Sequence, residues 1–314
     1  MRTTLDLEDD VYKKLVNLSV EKYGNTKNMS QVMSDLLKSG GKRQKEEKLI
    51  TSSDHPIKRG KIENYILDGI ERYGGLLFAV IDPMDYKSLD DAVKTAKNAN
   101  EGGADVILIG GSTGVQGEIL DTVTRTIKES VNVPVVLFPG NIGTVTKYAD
   151  AVYFMSLLNS NNPYWISKAQ MLAAPTVKQM GIEALPTGYM VVEPGGTVGY
   201  VGEANLLPRD KPKLAAAMAL GAQYMGFRFI ITDAGSNPKE GHIPLEMVAT
   251  VSKFIDVPYI VAGGVRTPEQ AGSIITAGAD AVQVGTAFEH DNAVEKVKQM
   301  VAAVRQGAKA RKKE

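Results

Sequence analysis

The stretch PYIVAGGVRTPEQAGSIITAGADAVQVGTA (258–287) sets the reading of the whole chain. It holds two short, almost uninterrupted apolar runs, PYIVAGG (258–264) and AVQVGTA (281–287), each carrying glycine at its end, with an amphipathic segment between them. A run apolar on both faces is what a strand buried on both sides requires, and a helical crossover between two such runs makes them parallel. The same alternation continues toward the N-terminus through LLFAVID (76–82), DVILIGG (105–111), PVVLF (134–138), AVYFMSL (151–157), YMVVE (189–193) and FRFIITD (227–233). Eight such runs over roughly 250 residues predict an α/β fold, a (β/α)8 TIM barrel. An open doubly wound sheet would need a glycine fingerprint after its first strand, where the chain reads IDPMD (81–85). One crossover is anomalous. Only PGNIGTVTKYAD (139–150) separates the third and fourth strands, too short and too rich in glycine and proline for an outer helix, so the barrel is expected to lack a regular third helix.

The 314 residues carry 36 basic and 36 acidic side chains, which argues against a surface built throughout for nucleic acid. The absence of cysteine removes disulfides, thiol catalysis and thiolate metal sites. His55, His242 and His290 are not spaced as a ligand cluster, so a metal here would be a hard ion on oxygen ligands. No stretch approaches the ~18 apolar residues of a membrane span, and the N-terminus is polar and acidic, so the chain is expected to be cytoplasmic.

The glycine-flanked, charged segment around 41–60 reads as a linker between a leader, 1–40, and the barrel, 61–314. In the leader, Thr3, Leu5 and Leu7 alternate with polar residues as a short strand. A helix carrying Val11, Leu15, Leu18 and Val20 stops at Gly24, and a second is expected to start at Ser30 as its N-cap. Strand, helix, helix in about 40 residues is too little to bury a core alone, so the leader is expected to associate as a homo-oligomer. It resembles the ribbon-helix-helix DNA-binding domains over residues 2–39, and that resemblance would turn Arg2, Thr4 and Asp6 toward a DNA groove. The acid in the first ten residues fits a polyanion poorly and favours an assembly or docking element.

In a parallel barrel the chemistry lies where strands end at the carboxyl face. Gly263 and Gly264 after the seventh strand, with Gly285 and Thr286 after the eighth, form a phosphate cradle in which bare backbone N–H groups can approach an anion. Arg266 reads as a surface residue at a helix start. Asp82 after the first strand, with Ser112 or Thr113 in the glycine turn after the second, supplies the oxygen donors a magnesium ion bridging to a diphosphate needs; Asp85 is a weaker candidate, free to face solvent. Glu193 and Asp233, at the ends of the fifth and sixth strands, are candidate proton acceptors. FMSLLNSNNPYW (154–165) offers apolar side chains for a channel beside the mouth, though such residues also serve as plain core. Together these elements suit transfer between a phosphorylated alcohol and a diphosphate-bearing donor.

IDPMD (81–85), VILIGGSTGV (106–115), VVLFPG (135–140), YFMSLLNSNNPYWISKAQ (153–170), GYMVVEPGGTVGYVGEA (188–204), LLPRDKP (206–212), DAGSNP (233–238), AGGVRTPEQA (262–271) and VGTAFE (284–289) closely resemble the geranylgeranylglyceryl phosphate synthases. These are archaeal prenyltransferases that form the first ether bond of membrane lipids. The resemblance covers residues 56–304 and leaves the leader outside. It implies magnesium-dependent transfer of a geranylgeranyl group from geranylgeranyl diphosphate to the sn-3 hydroxyl of sn-glycerol-1-phosphate. Carried over, Asp82 and Ser112 would hold Mg2+ and the donor's diphosphate. Asp233, Ala234, Gly235 and Ser236, with Gly263, Gly264, Gly285 and Thr286, would hold the acceptor, and Asp233 would accept its proton. Two departures from the family pattern stand out: Ile231 where tyrosine is common, and altered spacing in Met84-Asp85-Tyr86-Lys87. The competing expectations are a relative using another prenyl chain length and a DNA-binding regulator whose barrel senses a phosphorylated ligand.

Overall fold

A computed structural model describes residues 9–38, 59–111, 115–288 and 293–311. The chain divides into two units, residues 1–58 and 59–314. In the first, helix α1 (Asp9–Tyr23) ends where Gly24 takes a positive φ and returns its N–H to the Val20 carbonyl, as its position in sequence predicts. Helix α2 (Met29–Lys38) begins before Ser30, which therefore lies inside the helix instead of capping it. Asn25 does the capping: its side-chain oxygen accepts the Lys27 N–H at 2.9 Å and starts a 3-10 turn that runs into α2. Lys22 and the Tyr23 hydroxyl both donate to Asp35, tying α1 to α2. The strand expected within residues 2–7, and most of the expected linker, lie outside the described residues.

The second unit is a closed barrel of eight parallel strands in sequence order. They are β1 (Leu76–Ile81), β2 (Val106–Ile109), β3 (Val135–Leu137), β4 (Ala151–Leu157), β5 (Glu183–Val191), β6 (Phe229–Asp233), β7 (Tyr259–Ala262) and β8 (Ala281–Val284). Closure comes from pairing of β1 with β8, where Phe78 lies opposite Gln283. Seven strands fall where the apolar runs predict. The fifth differs: it begins at Glu183, six residues before the expected YMVVE, because Pro186 and Gly188 interrupt the apolar signal. Gly188 belongs there on steric grounds, since a Cβ would meet Ile230 and Leu158 side chains at 3.0–3.1 Å.

Outside the strands run α4 (Leu89–Glu101), α5 (Gly117–Ser130), α6 (Ala169–Met180), α7 (Gly196–Val201), α8 (Pro212–Tyr224), α9 (Leu245–Phe254), α10 (Pro268–Thr276) and α11 (Ala293–Arg311). Among the described residues, two of them start on side-chain caps. Ser88 caps α4 through the Asp91 N–H, and Thr267 with Gln270 forms a reciprocal capping box on α10. No helix joins β3 to β4: residues 138–150 make only turns and bends, as expected. α3 (Lys61–Tyr73) closes the amino end of the barrel by burying Ile62 and Ile66 among interior strand residues. The Glu183 carboxylate caps α3, accepting the N–H groups of Ile62 and Glu63 at 2.7 and 2.9 Å.

Period-two alternation divides the core. Residues 76, 78, 106, 108, 136, 153, 185, 189, 229, 231 and 260 pack inside the barrel, while their neighbours 77, 79, 107, 109, 135 and 261 pack against the helices. Tyr189 belongs to this inward set, and Asp82, Asp233 and Gln283 continue it two residues beyond Val80, Ile231 and Ala281, which places all four on the cavity at the carboxyl mouth.

Candidate active site

Asp233 ends β6 on the inward series 229, 231, 233 and is 7% exposed. Both carboxylate oxygens are held: Oδ2 accepts the Tyr189 hydroxyl at 2.8 Å and Oδ1 accepts the Gly235 N–H at 2.7 Å. Burial raises the Asp233 pKa above the ordinary carboxylate value, and these two hydrogen bonds oppose that rise without cancelling it. The Tyr189 hydroxyl is pushed well above its usual pKa by burial first, then by the charge and hydrogen bond of Asp233, with Asp82 adding a further push. Tyr189 is therefore a neutral donor. It sits opposite Ile231 in the β5–β6 register, so the inward hydroxyl at this level comes from β5 while Ile231 is buried as plain core.

The loops after β5, β6 and β7 lock together through glycine. Gly263 has φ +81°, and a Cβ there would lie 2.7 Å from both Asp233 Oδ1 and the Gly235 carbonyl. Gly264, at φ +74°, would strike the backbone of Gly241 and His242. Only glycine allows these backbones to approach and adopt that conformation. Arg209 joins the same loops by donating to the carbonyls of Glu193, Glu240 and His242. Arg266, just before the cap of α10, holds Asn237 and the Pro238 carbonyl.

A cavity of about 470 Å³ opens among these strand ends, and the residues that line it divide by chemistry and by element of origin into two groups, a polar lobe and an apolar lobe. The polar lobe is lined by Asp82, Asp233, Gly235, Ser236 and the glycines 263, 264 and 285, with Lys296 of α11 and Arg266 also on its wall. The apolar lobe is lined by Phe138, Ile142, Val145, both faces of β4 (Tyr153 and Met155; Val152 and Phe154), Trp165, and Ala169, Ala173 and Val177 of α6. Thus it crosses from the barrel interior to the outer side of β4, beside the connection that contains no helix.

Most of the predicted positions converge on this cavity. Ala234 does not: its side chain is fully buried in the outer core and its N–H is used by the Ala262 carbonyl. Ser112, Thr113 and the Thr286 side chain lie outside the described residues. Asp85 lines the rim. Glu193 is exposed, lies off the cavity and accepts the Arg209 N–H, which fits loop bonding and not proton transfer. Of the channel segment, Phe154, Met155, Leu157 and Trp165 line the cavity while Leu158 packs into the outer core. Sequence reasoning missed Tyr189, Gln283, Lys296 and the α6 face; for the first two, strand parity alone would have found them once the strand starts were known.

Among the described residues, no group of three or more His, Cys, Asp or Glu could cage a metal. The donor chemistry still fits a hard ion shared with a phosphorylated substrate, which needs one or two protein carboxylates. Asp82, half-buried at the end of β1, supplies one, and Gly110 leaves room for it: a Cβ at Gly110 would lie 2.6 Å from Asp82 Oδ1.

A family model described as the PcrB family matches residues 72–305. The geranylgeranylglyceryl phosphate synthase of Thermococcus kodakarensis is 49% identical over 253 residues, covering 81% of this chain and 99% of the relative. The enzyme of the same name from Methanothermobacter thermautotrophicus is 49% identical over 242 residues, 77% of this chain and 97% of its own. In three dimensions the chain resembles the crystal structure of (S)-3-O-geranylgeranylglyceryl phosphate synthase from Thermoplasma acidophilum in complex with substrate sn-glycerol-1-phosphate, with a TM-score of 0.74 and 36% identity over 79% of this chain and 100% of that one. Identity of this order, sustained along almost the entire length of such relatives, reflects common descent: the chain belongs to the PcrB family.

Proposed function

We propose that this chain transfers a geranylgeranyl group from geranylgeranyl diphosphate to the sn-3 hydroxyl of sn-glycerol-1-phosphate. The observation that carries this reading is the two-lobed cavity, with a glycine-lined polar end, an apolar end and the buried Asp233 carboxylate on the wall of the polar one. The names borne by relatives at 49% identity point the same way.

In this scheme Gly235, Ser236, Gly263, Gly264, Gly285 and Thr286 hold the acceptor's phosphate by backbone N–H and hydroxyl donors, with Lys296 adding positive charge at the wall. The hydrocarbon tail lies in the apolar lobe. Asp82, with Ser112, is the place for Mg2+, which when bound neutralises the charge developing on the departing diphosphate. Asp233 orients the sn-3 hydroxyl and takes its proton as that oxygen bonds to the first prenyl carbon and the carbon–diphosphate bond breaks. Tyr189 keeps the carboxylate aimed. The aromatic and aliphatic walls exclude water that would otherwise capture the prenyl carbon.

The test is product formation from labelled sn-glycerol-1-phosphate with C15, C20 and C35 prenyl diphosphates, with magnesium or chelator, on the full chain and on Asp82→Ala. A C20 product that needs magnesium and is lost in the folded variant is expected. No product with any donor, or undiminished product in chelator, overturns the scheme.

A further inference from the structure

Gln283 is an outlier in the barrel core. It is 3% exposed, faces the polar lobe, and neither its side-chain oxygen nor its nitrogen has a hydrogen-bond partner among the described residues. Its register partners on either side, Phe78 and Ala262, are apolar. Burying an unpaired carboxamide costs the fold, and an apolar residue would serve packing better, so the group calls for a partner that enters from the cavity.

The position says which partner. Asp233 pairs with Ala262 and Ala262 pairs with Gln283, so Gln283 stands in the register row of Asp233, two strands along. It precedes Gly285 by two residues on the same inward face, and its partner Ala262 immediately precedes Gly263. Gln283 therefore lies one step beneath both glycine loops and level with the carboxylate. The proposed acceptor is a three-carbon chain with a phosphate at one end and the reacting hydroxyl at the other. Glycines and Asp233 account for those ends, which leaves the middle hydroxyl. A carboxamide suits it, offering an acceptor and donors to a group that is itself both.

We propose that Gln283 binds the middle hydroxyl of the phosphorylated polyol and so reads the configuration at that carbon, where the mirror-image acceptor presents hydrogen instead. This rests on the acceptor class proposed above. Tyr153 and Gln170 also line the cavity with a buried polar atom that has no partner among the described residues, but both stand toward the apolar lobe: Tyr153 on β4 beside the Phe138 ring, and Gln170 on α6, where its Nε2 already donates to the Met155 and Trp165 carbonyls.

The experiment compares sn-glycerol-1-phosphate with 3-hydroxypropyl phosphate, which lacks the middle hydroxyl, on the full chain and on Gln283→Leu and the unbranched Gln283→Met, each checked by thermal melting. In the unaltered chain, loss of the hydroxyl is expected to raise the acceptor KM about tenfold or more. In either folded variant the KM for sn-glycerol-1-phosphate rises by a similar factor, and the ratio between the two acceptors falls toward one. A variant that still discriminates as the unaltered chain does overturns the role of Gln283. If the unaltered chain makes no product from either acceptor, the transferase reading fails instead. Calorimetric binding of the two phosphates then decides Gln283 separately, with equal discrimination by parent and variant again overturning it.

Discussion

Replacing Asp233 by asparagine separates proton transfer from binding more cleanly than any other change at this site. Asparagine keeps the shape of the side chain. Its Oδ1 can still accept the Gly235 N–H, and its Nδ2 can donate to the Tyr189 oxygen in a bond now reversed in sense. What disappears is the ability to take a proton, and a positioned general base contributes ~10²–10⁴-fold to rate. That corresponds to about 3–5 kcal/mol of transition-state stabilisation. Acceptor affinity should change far less, because the proposed phosphate contacts come from glycine backbone. The fold should respond in the opposite direction. Burial raises the Asp233 pKa above its unfolded value, so the native state binds that proton more tightly than the unfolded chain does, and stability falls as pH rises past the ordinary carboxylate range. At neutral pH the parent bears this cost and the variant does not. Asp233→Asn should therefore melt higher than the parent near pH 7, with the difference vanishing below the usual carboxylate pKa. Single-turnover rates at saturating donor, calorimetry with sn-glycerol-1-phosphate alone, and melting at several pH values measure the three quantities. An unchanged rate, or a rate and an affinity that fall by the same factor, refutes the assignment of Asp233 as base.

Tyr189→Phe removes a donor that holds the Asp233 pKa down, so the acidic limb of the kcat/KM profile should move to higher pH, with a loss near neutrality of about 1.5–3 kcal/mol; a limb that stays put or moves acidic contradicts this. Gly263→Ala forces a Cβ against Asp233 Oδ1 and imposes a left-handed backbone on alanine, a strain of about 1–2 kcal/mol before any clash, so both melting temperature and acceptor affinity should drop. Wild-type affinity in that variant would remove the glycine loop from phosphate binding. Ala173→Phe fills the apolar lobe from α6 and should shift donor preference in direct competition from C20 toward C15. In the leader, Val11, Tyr12, Leu18 and Val20 of α1 are 41–50% exposed, and light scattering of the full chain should show an oligomer that Leu18→Glu weakens.

The barrel was legible because parallel strands buried on both faces leave apolar runs that need no periodicity to be seen. The missing helix was legible in the proline and glycine of 139–150. What stayed hidden had specific causes. Pro186 and Gly188 masked the first half of β5, and without the start of that strand the inward parity of Tyr189 could not be counted. Gln283 sits inside the run AVQVGTA, and a run apolar on both faces gives no local sign of which of its residues turn inward. Ala169, Ala173 and Val177 sit on α6 at the spacing of any helix packed on a sheet, and nothing local distinguishes a helix that covers a strand from one that roofs a cavity. Ser30 looked like a cap because serine commonly is one, but Asn25 already starts the turn that leads into α2.

The omitted helix also sorts the cavity by sequence. Walls of the apolar lobe come mainly from one continuous stretch, Phe138 to Val177, whereas the polar lobe draws on Asp82 and on residues from Asp233 onward. Tail fit and head chemistry are thus written in separate parts of the chain, and substitutions in one part should combine additively with those in the other where they share no neighbours. Such a layout is modular: tail length can drift through small changes in residues 138–177 while the reacting centre stays untouched, and one lineage can follow a change in its available lipids without rebuilding its catalyst.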